Sequence, residues 1–166
     1  MKKVILLLAI TYTSLNAQIN TKIEGITINA PCELEYTRNL GNQNNYSCPY
    51  LYNGEEKLDN YSITVSNLQT EMNGLTDSSL KEFKNTFLKT IEINSSNNAG
   101  TTKYIVLNNG ISAVSSVSYL TLGEQKFKII SISFLYRQKS FILNLTTNNF
   151  DRDKEISALI NRILFK

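Results

Sequence analysis

The sequence predicts an α+β domain, an antiparallel sheet of about six to seven strands sandwiched by two amphipathic helices. Three observations carry that prediction. Period-two apolar runs recur between short turns, many of them Asn-Gly, as in antiparallel strands with one buried face. Two stretches, near 79–91 and 156–164, carry apolar residues at helical spacing instead. Gln125–Tyr136 has apolar residues in both phases (Ile129, Ile130, Ile132, Phe134, Leu135), as a central strand covered on both sides would. One helix on each face then gives an α/β/α sandwich.

The chain begins with a leader. Lys2 and Lys3 form a positive start, Val4–Ile10 an apolar run, and Thr13–Ala17 a polar approach to a cut between Ala17 and Gln18. Leu15 stands where a small residue is usual. The apolar run is about half of the roughly 20 residues a membrane span needs, so the leader reads as a cleavable signal peptide rather than an anchor. The expected organisation is a signal peptide over 1–17, a short N-terminal tail over 18–22 and a single domain over 23–166. No stable membrane span remains after cleavage.

Gly25-Ile26-Thr27-Ile28-Asn29 reads as a first strand stopped at Pro31. Glu33–Asn45 is polar and Asn-rich and reads as a loop. Tyr46–Tyr52 reads as a second strand, with Pro49 marking an edge or a bulge, before the Asn53-Gly54 turn. Leu58–Asn67 alternates cleanly, with Tyr61, Ile63 and Val65 on one side and Ser62, Thr64 and Ser66 on the other. After Asn73-Gly74, Ser79-x-x-Glu82 matches a capping box. Leu80, Phe83, Phe87, Leu88 and Ile91 follow as one stripe, and the Asn-rich segment Asn94–Gly100 ends the helix.

Thr102–Leu107, Ile111–Leu122, Gln125–Tyr136 and the Phe141–Leu145 alternation read as an antiparallel meander. Asn109-Gly110, Gly123-Glu124 and Arg137–Ser140 supply its turns. A phase slip near Val114 and Val117 predicts a bulge. Asp151 is placed to cap a last helix whose stripe is Ile156, Leu159, Ile160, Ile163 and Leu164.

This order resembles the PsbP/Mog type of domain, whose members are named for a photosystem II extrinsic subunit and a Ran-binding protein. The matching stretches are Tyr61–Val65 before the first helix, Asn109–Ala113 opening the meander and Phe141–Leu145 before the last helix. The likeness covers most of residues 23 to 166. Small exported bacterial proteins also look like this, including ones with a Pro-Cys after the first strand, here Pro31-Cys32. The resemblance implies a PsbP-like α/β/α fold and, by fold-level analogy, a domain that binds, scaffolds or assists assembly rather than one that catalyses.

The composition excludes several functions. The chain has 17 basic and 14 acidic residues; without Lys2 and Lys3 the balance is 15 to 14. A nearly neutral mature chain with no Lys/Arg cluster excludes the usual nucleic-acid binder. The absence of histidine excludes the common triads and most zinc sites. No metal and no cofactor is expected. Two cysteines in an exported chain, Cys32 and Cys48, read as one disulfide.

No catalytic residue is assigned. Glu33 and Glu35 read as loop carboxylates. Asp151-Arg152-Asp153 opens like a calcium loop but lacks its glycine and its closing glutamate. Ser112, Ser115, Ser116 and Ser118 lack any Gly-x-Ser-x-Gly or Ser-x-x-Lys context. Tyr46, Tyr50 and Tyr52 form a weak partner-binding candidate, each offering apolar area with a polar tip.

Two function classes follow, with a third behind them. The first is an exported binding or assembly domain, in the periplasm, at the cell surface or in the medium, whose partner is an envelope protein or a glycan. The second is a carboxylate- or Ser/Lys-based envelope enzyme. The third is an inhibitor or immunity-type protein.

Overall fold

A computed structural model describes residues 18–51, 58–97, 100–150 and 155–165. Its first two strands, β1 (Ile19–Ile23) and β2 (Ile26–Ala30), are joined by a two-residue turn. Glu24 (φ 52°) and Gly25 (φ 96°) are both left-handed there, as a type I′ hairpin turn requires. The stretch expected as an N-terminal tail is therefore largely β1, paired along its whole length with β2.

The stretch expected as a loop also folds. It holds β3 (Glu35–Leu40) and the start of β4 (Gln43–Leu51). Every residue of β3 is exposed. As an edge strand with no buried face it needs no apolar alternation, so its polar composition misleads. Its register slips between Tyr36 and Arg38, a bulge of the kind that blunts sheet edges. β5 (Leu58–Asn67) follows as expected. Asn53-Gly54, Tyr52, Asp151 and the leader through Ala17 lie outside the described residues.

After the short helix α1 (Gln69–Met72), α2 (Asp77–Asn97) begins one turn earlier than the capping box predicts. Thr76 takes the capping role instead: its hydroxyl accepts from the Ser79 amide at 3.3 Å. The helix continues through Asn94 and Ser95 into the Asn-rich segment. Four strands then run as the expected meander: β6 (Thr101–Val106), β7 (Ser112–Leu122), β8 (Gln125–Tyr136) and β9 (Lys139–Thr147). β7 has no bulge. It pairs without interruption with both neighbours, and the apparent phase slip arises because Ala113–Ser116 is buried on both faces.

The chain closes with α3 (Glu155–Asn161) and β10 (Ile163–Phe165). Ile163 and Leu164, expected on the last helix, belong to β10 and pair with Ile28 and Thr27 of β2. The Arg162 amide bonds to the Leu159 carbonyl at 3.2 Å and turns the chain out of the helix.

Seven strands form one antiparallel sheet in the order β3-β4-β5-β9-β8-β7-β6, and β1-β2-β10 form a second. The symmetric helix sandwich is thereby corrected. α2 lies on one face of the large sheet, over β6, β7 and β8. The three-stranded sheet, with α3 beside it, covers the other face. The main core fills the space between the sheets: Ile23, Ile26 and Ile28 meet Tyr61, Ile63, Ile132, Phe134 and Leu143, all at most 2 % exposed. Edge strands could not supply that second cover, but Ile26–Ala30 can. β2 lies between β1 and β10, so its backbone groups are paired on both sides while its side chains are buried. Among the described residues, no helix is long and apolar enough to cross a membrane.

Candidate binding site

Strand alternation assigns the two faces of the large sheet. Tyr61, Ile63 and Val65 of β5 face the core, in line with Leu143 and Leu145 of β9 and with Ile130 and Ile132 of β8. The opposite phase faces the α2 side. There β4 presents Gln43, Asn45 and Ser47; β5 presents Asn60, Ser62, Thr64 and Ser66; β9 presents Asn144 and Thr146; and β8 presents Ser131 and Ser133. No charged residue occurs in this phase on any of the four strands. α2 packs over β6, β7 and β8, so the hydroxyls and amides of β4, β5 and β9 form an uncharged platform beside it. Cross-strand bonds order the platform: Thr64 donates to Asn45 Oδ1 at 2.8 Å, and Ser131 to Asn144 Oδ1 at 2.6 Å. Asn45 Nδ2 and Asn60 Oδ1 are buried there without a hydrogen bond among the described residues.

Where the platform runs under α2 it deepens into a pocket of about 200 Å³. The floor is a block of serines: Ser116 and Ser118 from β7, and Ser131 and Ser133 from β8, with Ser116 directly opposite Ser131. Ile142 closes one side. Ile91, Asn94 and Ser95 of α2 form the roof. α2 runs deep enough to bury Leu88 but leaves Leu80, Phe83, Phe87 and Ile91 only half-buried, so the helix stands slightly off the sheet. The small serines leave the gap unfilled. Gly100 follows α2 closely at this end: a Cβ on it would meet the Val117 and Ser95 carbonyl oxygens at 2.8 and 2.9 Å.

Among the described residues, the pocket lining contains no carboxylate, lysine or other titratable side chain. A serine there has nothing to take its proton, so the pocket can hold a ligand by hydrogen bonds and lacks the parts of a nucleophilic centre. Of the serines singled out in the sequence, Ser116 and Ser118 lie in the pocket. Ser115 faces the core and donates to the Lys103 carbonyl at 3.4 Å, and Ser112 is exposed at the start of β7.

The cysteines form a disulfide, Cys32–Cys48, with Cα atoms 5.9 Å apart. It ties the segment after β2 to β4. Glu33 and Glu35 are both exposed, and nothing brings them to a common site. Among the described residues, no three His, Cys, Asp or Glu side chains gather as a metal would need.

Tyr46 joins a polar cluster at the end of the core. The Glu24 carboxylate, in the β1–β2 turn, is ion-paired to Lys139 of β9. It also accepts from Asn44 Nδ2 at 2.8 Å and from the Tyr46 hydroxyl at 3.5 Å. The hydrogen bond from Lys139 holds the Glu24 carboxyl below its ordinary value, against the opposing effect of burial; Asn44 adds to the lowering. Burial, then the Glu24 charge, pushes the Tyr46 phenol up. Tyr36 of β3 packs edge-on against Tyr46, with ring centres 5.6 Å apart. The cluster pins the small sheet to two strands of the large one. Tyr50, further along β4, is half-buried opposite Asp59.

Sequence reasoning missed a buried polar row on the core side. Asp59 and Lys128 both pair with Thr147, one on each side, and all three are buried. Opposite charges two strands apart stand roughly 10 Å from each other. The Tyr61 hydroxyl donates to Asp59 Oδ2 at 3.4 Å. The signal was present: Asp59, Lys128 and Thr147 each extend the buried phase of their own strand.

Among known proteins, no family model and no curated sequence matches this chain. A solved structure similar to it is the solution structure of cyanobacterial PsbP (CyanoP) from Synechocystis sp. PCC 6803. That likeness has 13 % identity over 86 % of this chain and 87 % of that one, at a TM-score of 0.39.

Proposed function

We propose that this chain is an exported, non-catalytic binding domain whose partner is a neutral glycan laid across the open side of the large sheet. One observation carries the reading. Four adjacent strands, β4, β5, β9 and β8, turn a set of hydroxyl and amide groups to one side without a single charge among them. The set is about 14 Å across at normal strand spacing. Such a surface offers many weak donors and acceptors and repels neither acid nor base, which suits a polymer rich in uncharged hydroxyls. The leader through Ala17 and the Cys32–Cys48 disulfide support export to the periplasm, the cell surface or the medium.

The test is co-sedimentation of the mature chain, from Gln18, with insoluble neutral polysaccharides. The Ser62→Ala/Thr64→Ala double variant serves as the comparison. The reading expects retention of the parent and loss of retention in the variant. Equal retention of both, or retention only by charged polymers, would sink it.

A further inference from the structure

We infer that Gln18, once the leader is removed, is a modification site: its side chain closes onto its own α-amine as an N-terminal pyroglutamyl lactam. The inference rests on the cut between Ala17 and Gln18 that the proposed export includes. Closure needs only the residue itself. The amine nitrogen attacks Cδ of the side-chain amide, the Cδ–Nε2 bond breaks, and ammonia leaves with the proton that the amine gives up. Nothing is oxidised or reduced, and no co-reactant is consumed. The new ring is five-membered, and the two reacting groups are held close by the residue's own covalent frame. An asparagine at the same place would have to close a strained four-membered ring, so the length of the glutamine side chain decides the outcome.

The fold places Gln18 where closure is unhindered and where a new positive charge is unwelcome. β1 begins one residue later, with Ile19 paired to Ala30. Gln18 is exposed and stands outside that ladder, so strand pairing does not hold it extended. It lines a hollow of about 350 Å³ together with Asn29, Ala158, Asn161, Arg162 and Leu164. Among the described lining residues, Arg162 carries the one charge. Its guanidinium is fixed there: Nη1 donates to the Asn29 carbonyl at 3.1 Å, and Cζ lies 5.2 Å from the centre of the Tyr61 ring. A freed α-amine adds a second cation to the same hollow. A neighbouring cation favours the neutral amine, and the neutral amine is the form that attacks. The lactam removes the charge and turns a carbonyl acceptor toward a lining in which Asn161 and Arg162 can donate.

The modification matters at this position. β1 is an edge strand of the small sheet, and Ile23 at its far end belongs to the core. The lactam leaves no free amine at the start of that strand, so an aminopeptidase outside the cell has no group to grip. The test is peptide mass spectrometry of the full chain, leader included, after export by a bacterial host. The first peptide is expected to start at Gln18 and to be lighter by one ammonia, and the purified protein should resist an aminopeptidase. The Gln18→Asn variant should keep its amine and lose its first residue to the same enzyme.

The rate of closure is read on a chain released before Gln18 from a fusion. Arg162→Gln should slow it about twofold or more at neutral pH. Raised salt, which screens the guanidinium, should slow the parent in the same direction. A first peptide that starts at Gln18 with its amine intact would overturn the inference and leave export standing. A first peptide that starts at another residue would defeat the cut and the inference together. Loss of ammonia from the first residue of the Gln18→Asn variant would overturn the ring-closure chemistry. Closure unmoved by both Arg162→Gln and salt would overturn the part given to Arg162.

Discussion

Replacing Glu24 with Gln tests how the two sheets are held together. Glu24 is an unusual residue for its place. At φ 52° it occupies a position that favours Gly, Asn or Asp, and a bulky residue there is strained. Its carboxylate nevertheless reaches Lys139, Asn44 and Tyr46, joining the β1–β2 turn to β4 and β9. The side chains of Lys139 and Glu24 are 32 % and 20 % exposed. Solvent therefore screens part of the attraction, and the pair is worth less than a fully buried one. Charge-assisted hydrogen bonds at a partly buried site then put the cost of Glu24→Gln at about 1–2 kcal/mol. For a domain of this size that is a fall of about 3–6 °C in thermal midpoint.

The pH dependence provides a second readout. The folded Glu24 carboxyl lies below its ordinary value of 4.5. Its contribution is therefore complete above that value and is lost as pH falls through the depressed folded value. Urea unfolding at pH 7 should separate parent from Glu24→Gln, and the two curves should converge in acid. A double-mutant cycle with Lys139→Met should show coupling. A difference at pH 7 smaller than about 0.3 kcal/mol, or coupling within the error of additivity, would refute the claim that this cluster pins the sheets. So would a gap that stays constant into acid.

Two further outcomes are expected. Reducing the Cys32–Cys48 bond, which closes a span of 16 residues, should cost about 3 kcal/mol. That is seen as a fall of about 6–12 °C in calorimetry, and two free thiols in the native protein by mass spectrometry would defeat the prediction. Gly100→Ala should cost about 1–3 kcal/mol in urea unfolding. The added methyl would press on the Val117 and Ser95 carbonyls, and an unchanged midpoint would mean that α2 shifts freely over β7.

Much of the fold was legible because it rests on local patterns. Tyr61, Ile63 and Val65 announce β5, and Leu80, Phe83, Phe87, Leu88 and Ile91 announce α2, since in each case one face must be dry. The meander β6 to β9 follows from alternation and short turns. β3 was not legible. A strand exposed on both faces has no hydrophobic phase, and only its pairing with β4 makes it a strand. Ile163 and Leu164 fit a helical stripe as well as they fit β10; an open backbone partner on β2 decided between the two.

The binding site divides along the same line. Alternation alone places Ser62, Thr64 and Ser131 on one kind of face, and Asp59, Thr147 and Lys128 in the buried phase of their strands. That Ser116 lies opposite Ser131 depends on register between strands. That both lie under a gap depends on how far α2 stands off the sheet. Glu24 and Lys139 are far apart in the chain, and no local pattern predicts that they meet. The sequence by itself determined which side chains share a face, because periodicity is a local property. Only the tertiary structure decided what covers each face, because layer packing depends on strands and helices distant in sequence finding each other.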